Sequence, residues 1–138
     1  MEELSKKQLE LSESKIITSI CSYLQYLENM NKLIFIRNNT GCFINPKGNF
    51  YRMGKTGSPD ILIFLTTNNK FATIGLEVKN FTGKQSNSQK EFQKKFEIIG
   101  GIYFLIRSLN ETEKIINYAF KKDLYKLPKD FLCKTKPL

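Results

Sequence analysis

The chain has 138 residues, and we expect residues 1–138 to form one domain whose core lies between about residues 5 and 120. Its composition, 41% hydrophobic and 25% charged, is typical of a globular protein, and no apolar run is long enough to span a bilayer. Histidine is absent and the three cysteines, Cys21, Cys42 and Cys133, lie far apart, which excludes Ser-His and Cys-His catalysis, a disulfide framework and a zinc site.

The net charge of +9 comes from 22 basic and 13 acidic residues. Such an excess favours a polyanionic partner, nucleic acid first, because lysine clusters release counterions from phosphate backbones. A Lys-rich solvated surface in an organism with Lys- and Asn-biased composition would give the same charge. The first eleven residues lack the apolar centre of a secretory signal, so we expect a cytoplasmic protein of a bacterium or phage, associated with the nucleoid when bound to DNA, and no membrane partner.

A helix is predicted from about Ser5 to Asn29, with Ser5 and Ser12 as candidate caps. Its apolar stripe consists of Ile16, Ile17, Ile20, Leu24 and Leu27. Glu13 falls on the same stripe, where an apolar side chain would be expected. Two interpretations stay open, a wet carboxylate at the edge of the stripe or a functional one.

A strand is predicted at Lys32–Arg37, followed by an irregular, Gly-rich segment from Asn38 to Gly57. Two apolar runs, Ile61–Leu65 and Phe71–Val78, are joined by Thr66–Lys70. Asn68 and Asn69 within this connection tolerate positive φ, so the two runs predict a hairpin of central strands.

Ser88 and Glu91 match a capping box, which predicts a helix that ends at Gly100 and Gly101. Phe92, Phe96 and Ile99 would form its buried face, and Gln89 falls on that face. A strand follows at Ile102–Ile106, then a helix that starts at Asn110 with Glu113 and runs to about Phe120, and then a basic tail over residues 121–138. This order predicts a mixed central sheet flanked by helices in an α/β or α+β sandwich, and we take the fold class to be α/β.

The predicted hairpin brings three charged residues to one end of the sheet. Asp60 precedes its first strand, and Glu77 and Lys79 lie at the end of its second. Alternation along a strand places Glu77 and Lys79 on one face and turns Val78 toward the core. Two carboxylates and an ammonium group would therefore share a pocket.

Such a pocket suits Mg²⁺, which prefers hard oxygen ligands and keeps several waters. Asp60 and Glu77 are the candidate ligands, the backbone carbonyl of Val78 is a further one, and Mn²⁺ is expected to substitute for Mg²⁺. Lys79 would orient a water or stabilise an anionic transition state. We expect phosphate contacts from basic residues around this site, namely Arg37, Lys47, Arg52, Lys55 and Lys84.

Five motifs follow one another between Arg37 and Ser108: R-N-N-T-G, G-S-P-D-I, L-E-V-K, G-K-Q-S-N-S-Q and G-G-I-Y-F-L-I-R-S. In this order they resemble the virus-type replication-repair nuclease (VRR-NUC) branch of the PD-(D/E)XK superfamily. The resemblance implies a restriction-endonuclease-like core. By position it also implies functional roles: Asp60 and Glu77 as metal ligands, Lys79 as the catalytic lysine, Gln89 as the glutamine after the core motif, and Glu13 as a helix carboxylate near the metal and a possible ligand.

Stand-alone members of that branch are homodimers that cut branched DNA, particularly four-way (Holliday) junctions, whereas members fused to larger domains act on flaps and repair intermediates. The resemblance thus implies a homodimeric, Mg²⁺-dependent endonuclease acting in DNA repair. Two alternatives are a basic DNA-binding protein with a dormant nuclease site, and a restriction-type enzyme that cuts linear duplex at a specific sequence.

Overall fold

The computed structural model describes residues 11–38 and 40–132. Within this part of the chain the helices are α1 (Glu13–Asn29), α2 (Asn87–Ile98) and α3 (Leu109–Lys121). The strands are β1 (Ile34–Arg37), β2 (Gly41–Ile44), β3 (Phe50–Met53), β4 (Ile61–Thr67), β5 (Lys70–Val78) and β6 (Ile102–Ile106), and a short 3₁₀ turn, Leu124–Lys126, follows α3. None of these helices is both long and apolar enough to cross a membrane.

Four strands form the central sheet in the order β1-β4-β5-β6. The first three pair antiparallel, and β5 pairs parallel with β6. The predicted fold class is confirmed, because the protein is α/β with a mixed sheet flanked by three helices, an arrangement compatible with a restriction-endonuclease-like core. The predicted hairpin is also confirmed: Asn68 and Asn69 turn with φ of 47° and 61°, as a tight hairpin turn requires.

The core lies on the sheet face that carries α1 and α3. It contains Ile61 and Ile63 of β4, Ile74 and Leu76 of β5, and apolar residues of the two helices, which are Ile16, Ile20, Leu24, Ile115, Ile116 and Ala119. The opposite face of β5 carries Gly75, where an added Cβ would lie 2.9 Å from Pro59 Cγ and 3.4 Å from the ring of Phe96. This close approach lets α2 and Pro59 pack over the opposite face.

Helix α1 begins at Glu13, and Ser12, one of the two candidate caps, accepts a hydrogen bond from Lys15 N. The predicted start at Ser5 lies outside the described residues. Within the described residues the predicted helix is wrong only at Leu11 and Ser12, which are not helical. Ser12 is the N-cap, so the helix cannot begin before Glu13.

The predicted cap of α2 is wrong by two residues. Ser86 and Gln89, rather than Ser88 and Glu91, form the capping box. The chain contains both Ser-x-x-Gln and Ser-x-x-Glu at this point, and the first of them sits where the preceding loop ends. The predicted buried face is also corrected, because Ile99 is 83% exposed and no residue of α2 is fully buried.

The segment predicted to be irregular contains β2 and β3, which pair antiparallel, and this corrects the prediction. All eight strand residues are exposed, so the usual alternation of buried and exposed positions is missing. We call residues 41–53 the arm. A stacked pair, Phe43 and Tyr51, stabilises it, with ring centroids 5.3 Å apart. Asn38 fastens its base by donating to Ser58 Oγ (2.7 Å) and Pro59 O (2.9 Å).

Helix α3 starts at Leu109 with Ser108 as its cap, which corrects the predicted start at Asn110. Residues 133–138 of the predicted basic tail, with Cys133, lie outside the described residues. Leu124 is 2% exposed within the core, and Lys70 Nζ lies 2.9 Å from Asp123 Oδ2. The segment after α3 therefore packs on the domain.

Candidate active site

Strand pairing brings Asp60 and Glu77 together at one end of the sheet. Ile61 lies opposite Leu76, so the next pair outward is Asp60 and Glu77. The N–H of Val78 donates to Asp60 Oδ2 at 2.8 Å, which fixes this carboxylate against β5. The parallel strand β6 ends at the same edge, where Lys79 N donates to Ile106 O at 2.9 Å.

The alternation predicted for the end of β5 is present. Val78 is 1% exposed in the core cluster, whereas Glu77 and Lys79 lie toward the face covered by α2. Glu77 is buried, with 2% exposure, and Lys79 Nζ lies 3.8 Å from Glu77 Oε1. This separation gives an ion pair without a direct hydrogen bond, so this contact leaves the donors of the ammonium group available to a ligand.

Gln89 joins α2 to the acidic pair. Its Nε2 donates to Glu77 Oε1 at 2.8 Å, and its Oε1 accepts from Ser86 N at 2.8 Å. The same side chain thus completes the capping box and orients the buried carboxylate. Gly57, at φ +83°, permits this close approach of α2, since an added Cβ would lie 2.2 Å from Ser88 O.

The second oxygen of Glu77, Oε2, is buried and has no hydrogen-bond partner among the described residues. Burial, the negative charge of Asp60 and a hydrogen bond shared with the Asp60 carboxyl together raise the pKa of Glu77 to about 8, and Lys79 opposes the shift. Two carboxylates in this setting need a positive charge between them. The site therefore binds either a proton or a cation.

Glu13 of α1 reaches the edge of the site. Its Oε1 accepts from Asn80 N at 3.3 Å, directly after Lys79, and its charge contributes to the raised pKa of Glu77. Of the two interpretations left open by the sequence, this placement favours a role at the site over a wet carboxylate at the edge of the stripe.

Within residues 11–38 and 40–132, no three His, Cys, Asp or Glu side chains are arranged to hold a metal together. A magnesium site would accordingly rest on Asp60 and Glu77, a backbone carbonyl such as that of Val78, and water. Glu77 Oε2 fits this assignment, because it is a hard oxygen donor that accepts no hydrogen bond from any residue the structure describes. Glu13 Oε1, by contrast, accepts a hydrogen bond from the backbone N–H of Asn80.

Sequence reasoning missed two residues beside the site. Arg107, just after β6, donates from Nη1 to the carbonyls of Asn80 and Gly83. Burial raises the pKa of Tyr103 to about 12, and its hydroxyl accepts from Gln85. The parallel order of β5 and β6 could have indicated Arg107, since both strands end at one edge.

The five predicted phosphate contacts are all exposed, but they do not form one group. Lys55 precedes Asp60 and Lys84 follows Lys79, each by five positions along the chain, whereas Arg37 ends β1 opposite Ile61 and lines a pocket with Cys21 of α1. The other two lie on the arm, Arg52 within β3 and Lys47 in its turn.

A scan against protein-family models, a search of curated proteins and a search of solved structures each find no match for this chain. Its function is therefore inferred from the chemistry of the site.

Proposed function

We propose that this protein is a Mg²⁺-dependent DNA endonuclease that hydrolyses phosphodiester bonds, with Mn²⁺ able to replace Mg²⁺. The observation that carries the proposal is the buried Glu77, whose Oε2 accepts no hydrogen bond from the described residues and which shares a site with Asp60 and with Lys79, whose Nζ lies 3.8 Å from Oε1. Two carboxylates and a lysine at the open end of a sheet form a common arrangement for metal-assisted phosphate chemistry.

Each residue of the site has a distinct task in this proposal. Asp60, fixed by Val78 N, and Glu77, fixed by Gln89, present oxygens to the metal. When bound, the metal supplies positive charge beside the phosphate and acidifies water. Lys79 orients the attacking water or stabilises the negative charge that grows on the phosphate.

The charge distribution supports DNA as the partner. The net charge is +9, and the exposed residues Lys55 and Lys84 lie five positions along the chain from Asp60 and Lys79. The arm begins and ends at the same edge of the sheet, because Asn38 fastens its base to Pro59. It adds the exposed residues Lys47 and Arg52 to the basic surface that a DNA backbone can contact.

We further propose that the enzyme is a homodimer that cuts branched DNA, as the VRR-NUC resemblance implies, and acts on DNA in the cytoplasm. Two-fold symmetric incision across a four-way junction needs two active sites. Strand β1 forms an edge of the sheet and exposes Ile34 (60%) and Ile36 (52%). An open edge strand with apolar side chains suits pairing with a second copy, which analytical ultracentrifugation of Ile36→Lys against wild type would test.

The direct test is cleavage of labelled four-way junctions, flaps and linear duplexes in Mg²⁺. We expect wild-type protein to cut branched DNA and Lys79→Ala to lose at least about 100-fold in rate, since it removes charge stabilisation of the transition state. Lys90→Ala is the matched control, because Lys90 is an exposed lysine of α2. Equal rates for wild type and Lys79→Ala would refute the proposal.

The same substrate panel separates the two alternatives. DNA binding without cleavage in Mg²⁺ or Mn²⁺ would indicate a basic DNA-binding protein with a dormant nuclease site. The basic residues of the arm would still contact DNA in such a protein. Cleavage of linear duplex at one sequence, with branched DNA ignored, would indicate a restriction-type enzyme on the same core.

A further inference from the structure

The turn after the active-site lysine presents an aromatic side chain to solvent. Phe81 is 70% exposed and follows Lys79 by two positions. Single exposed apolar residues are common, so exposure alone carries no meaning. The position of Phe81 and the rigidity of its turn distinguish it from the other exposed side chains.

The turn from Asn80 to Gly83 is stabilised by hydrogen bonds within the turn and by hydrogen bonds to residues outside it. Arg107 donates from Nη1 to the carbonyls of Asn80, Phe81 (3.4 Å) and Gly83 (2.9 Å). Within the turn, Gly83 N donates to Asn80 Oδ1 at 2.7 Å, and Asn80 N donates to Glu13. Hydrogen bonds to a charged donor are stronger than average, so this turn is held in one conformation.

Gly83 lets the turn pack directly against the active site. A Cβ added at Gly83 would lie 2.9 Å from Asn80 Oδ1, 3.0 Å from Glu13 Oε1 and 3.3 Å from Lys79 Cβ. No side chain fits there without displacing one of these groups. The ring of Phe81 is thus carried on a turn whose position relative to Lys79 is fixed, which lowers the entropy cost of a contact made by the ring.

The surrounding charge defines what the ring can contact. Lys84, exposed just after the turn, offers an ammonium group to a phosphate. An aromatic ring and an ammonium group three positions apart on one turn match a nucleotide, whose base can stack while its phosphate pairs with the lysine. Bases inside an intact duplex are stacked on their neighbours, so only an unpaired or splayed base presents a free face.

We propose that Phe81 is a specificity-determining residue that stacks on an unpaired nucleobase beside the scissile phosphate. The inference rests on the proposed nuclease function and narrows its substrate to DNA with unpaired or splayed bases, such as the bases at a branch point. The preference for distorted DNA then comes from this turn, whereas Asp60, Glu77 and Lys79 do not distinguish DNA substrates by sequence or base pairing.

Phe71 provides a matched control. It is the same residue type with the same 70% exposure, at the opposite end of β5. The length of the strand separates it from the site by roughly 20 Å. Substitution of Phe71 therefore removes equal apolar surface without touching a DNA strand at the active site.

Fluorescence anisotropy with Ca²⁺ in place of Mg²⁺ would give the Kd for fully paired duplex and for duplex with one unpaired 2-aminopurine. We expect Phe81→Ala to raise the Kd for the unpaired substrate about 5- to 150-fold, as loss of one base stack does. It should leave the Kd for paired duplex unchanged. Binding should quench 2-aminopurine with wild type and Phe81→Trp but not with Phe81→Ala, and Phe71→Ala should behave as wild type.

Several results would overturn the inference. The first is an equal loss of affinity for paired and unpaired substrates in Phe81→Ala, and the second is quenching that Phe81→Ala leaves unchanged. The third is a Phe81→Ala variant that no longer dimerises but still prefers unpaired bases, because Phe81 would then belong to a dimer interface. If wild-type protein cuts DNA but Phe81→Ala keeps the preference for unpaired bases, this inference fails and the nuclease function stands. If wild-type protein neither binds nor cuts DNA, both fail.

Discussion

Glu77→Gln should stabilise the metal-free protein while it abolishes activity. Glutamine keeps an oxygen that can accept the hydrogen bond from Gln89 Nε2, now 2.8 Å long. Its amide nitrogen replaces Oε2, the buried atom without a partner, and can donate to Asp60. The substitution thus removes one of two facing carboxylates and supplies a donor in its place.

The effect depends on pH with a definite sign. The pKa of Glu77 is about 8 in the folded protein against 4.5 in the unfolded chain, with burial as the largest cause and the charge of Asp60 next. Between these values the folded state holds a proton that the unfolded state has released, so wild-type stability falls as pH rises. Because the folded state must take up this proton, wild type should be about 3 kcal/mol less stable at pH 7 than at pH values where both states are protonated, and Glu77→Gln should avoid this loss.

Urea unfolding of both proteins at pH 4.5, 6, 7 and 8.5 in EDTA would measure this difference. The free energy of unfolding of the variant should be close to that of wild type at pH 4.5. Its excess over wild type should grow up to about pH 8 and remain constant above that. Addition of Mg²⁺ should stabilise wild type only. A difference that does not change with pH would refute the assignment of a buried, protonated Glu77.

Three further predictions concern the support of the site, the C-terminal segment and DNA binding. Gln89→Ala should lower kcat about 10- to 100-fold with little change in Kd for DNA, because a residue that orients a ligating carboxylate affects the chemical step rather than DNA binding. Steady-state kinetics with Lys94→Ala as the control would measure this effect, and an unchanged kcat would contradict it. Hydrogen bonding from Lys70 lowers the pKa of Asp123, so Asp123→Asn should destabilise the protein at neutral pH, and the difference should shrink as pH falls through that lowered pKa. Thermal melts from pH 7 down through the acid range would measure it, and a difference that stays constant over the whole series would contradict it. The logarithm of DNA affinity should fall linearly with the logarithm of salt concentration, less steeply in Lys47→Ala than in wild type, and a flat response would exclude a nucleic-acid partner.

The hairpin and the acidic pair were predictable because their signals are local. Period-two alternation over β5 and the Asn68-Asn69 turn together fix the register, and the register places Asp60 beside Glu77. The roles of these residues and of magnesium remain predictions.

The arm could not be predicted from a burial pattern, because its strands have no buried face. Likewise, Ser86-Gln89 and Ser88-Glu91 are overlapping capping patterns, and the choice between them depends on the path of the preceding loop. Sequence did indicate Gln89, but through the resemblance rather than through the cap it forms.

Long-range contacts explain the remaining differences. Thr67 Oγ1 donates to Lys122 O and accepts from Leu124 N, both at 2.9 Å, which draws the segment after α3 into the core. Arg107 reaches the turn after Lys79 only because β6 lies parallel to β5. Neither pairing has a local sequence signal.

The central claim is that Asp60 and Glu77 together bind one divalent cation. Isothermal titration of the purified protein with Mn²⁺ tests this claim without reference to any substrate. We predict one Mn²⁺ per chain in wild type, its loss in Glu77→Gln, and its retention in Glu91→Gln, which changes an exposed carboxylate of α2. Mn²⁺ binding that survives Glu77→Gln, or its absence from wild type, would contradict the claim.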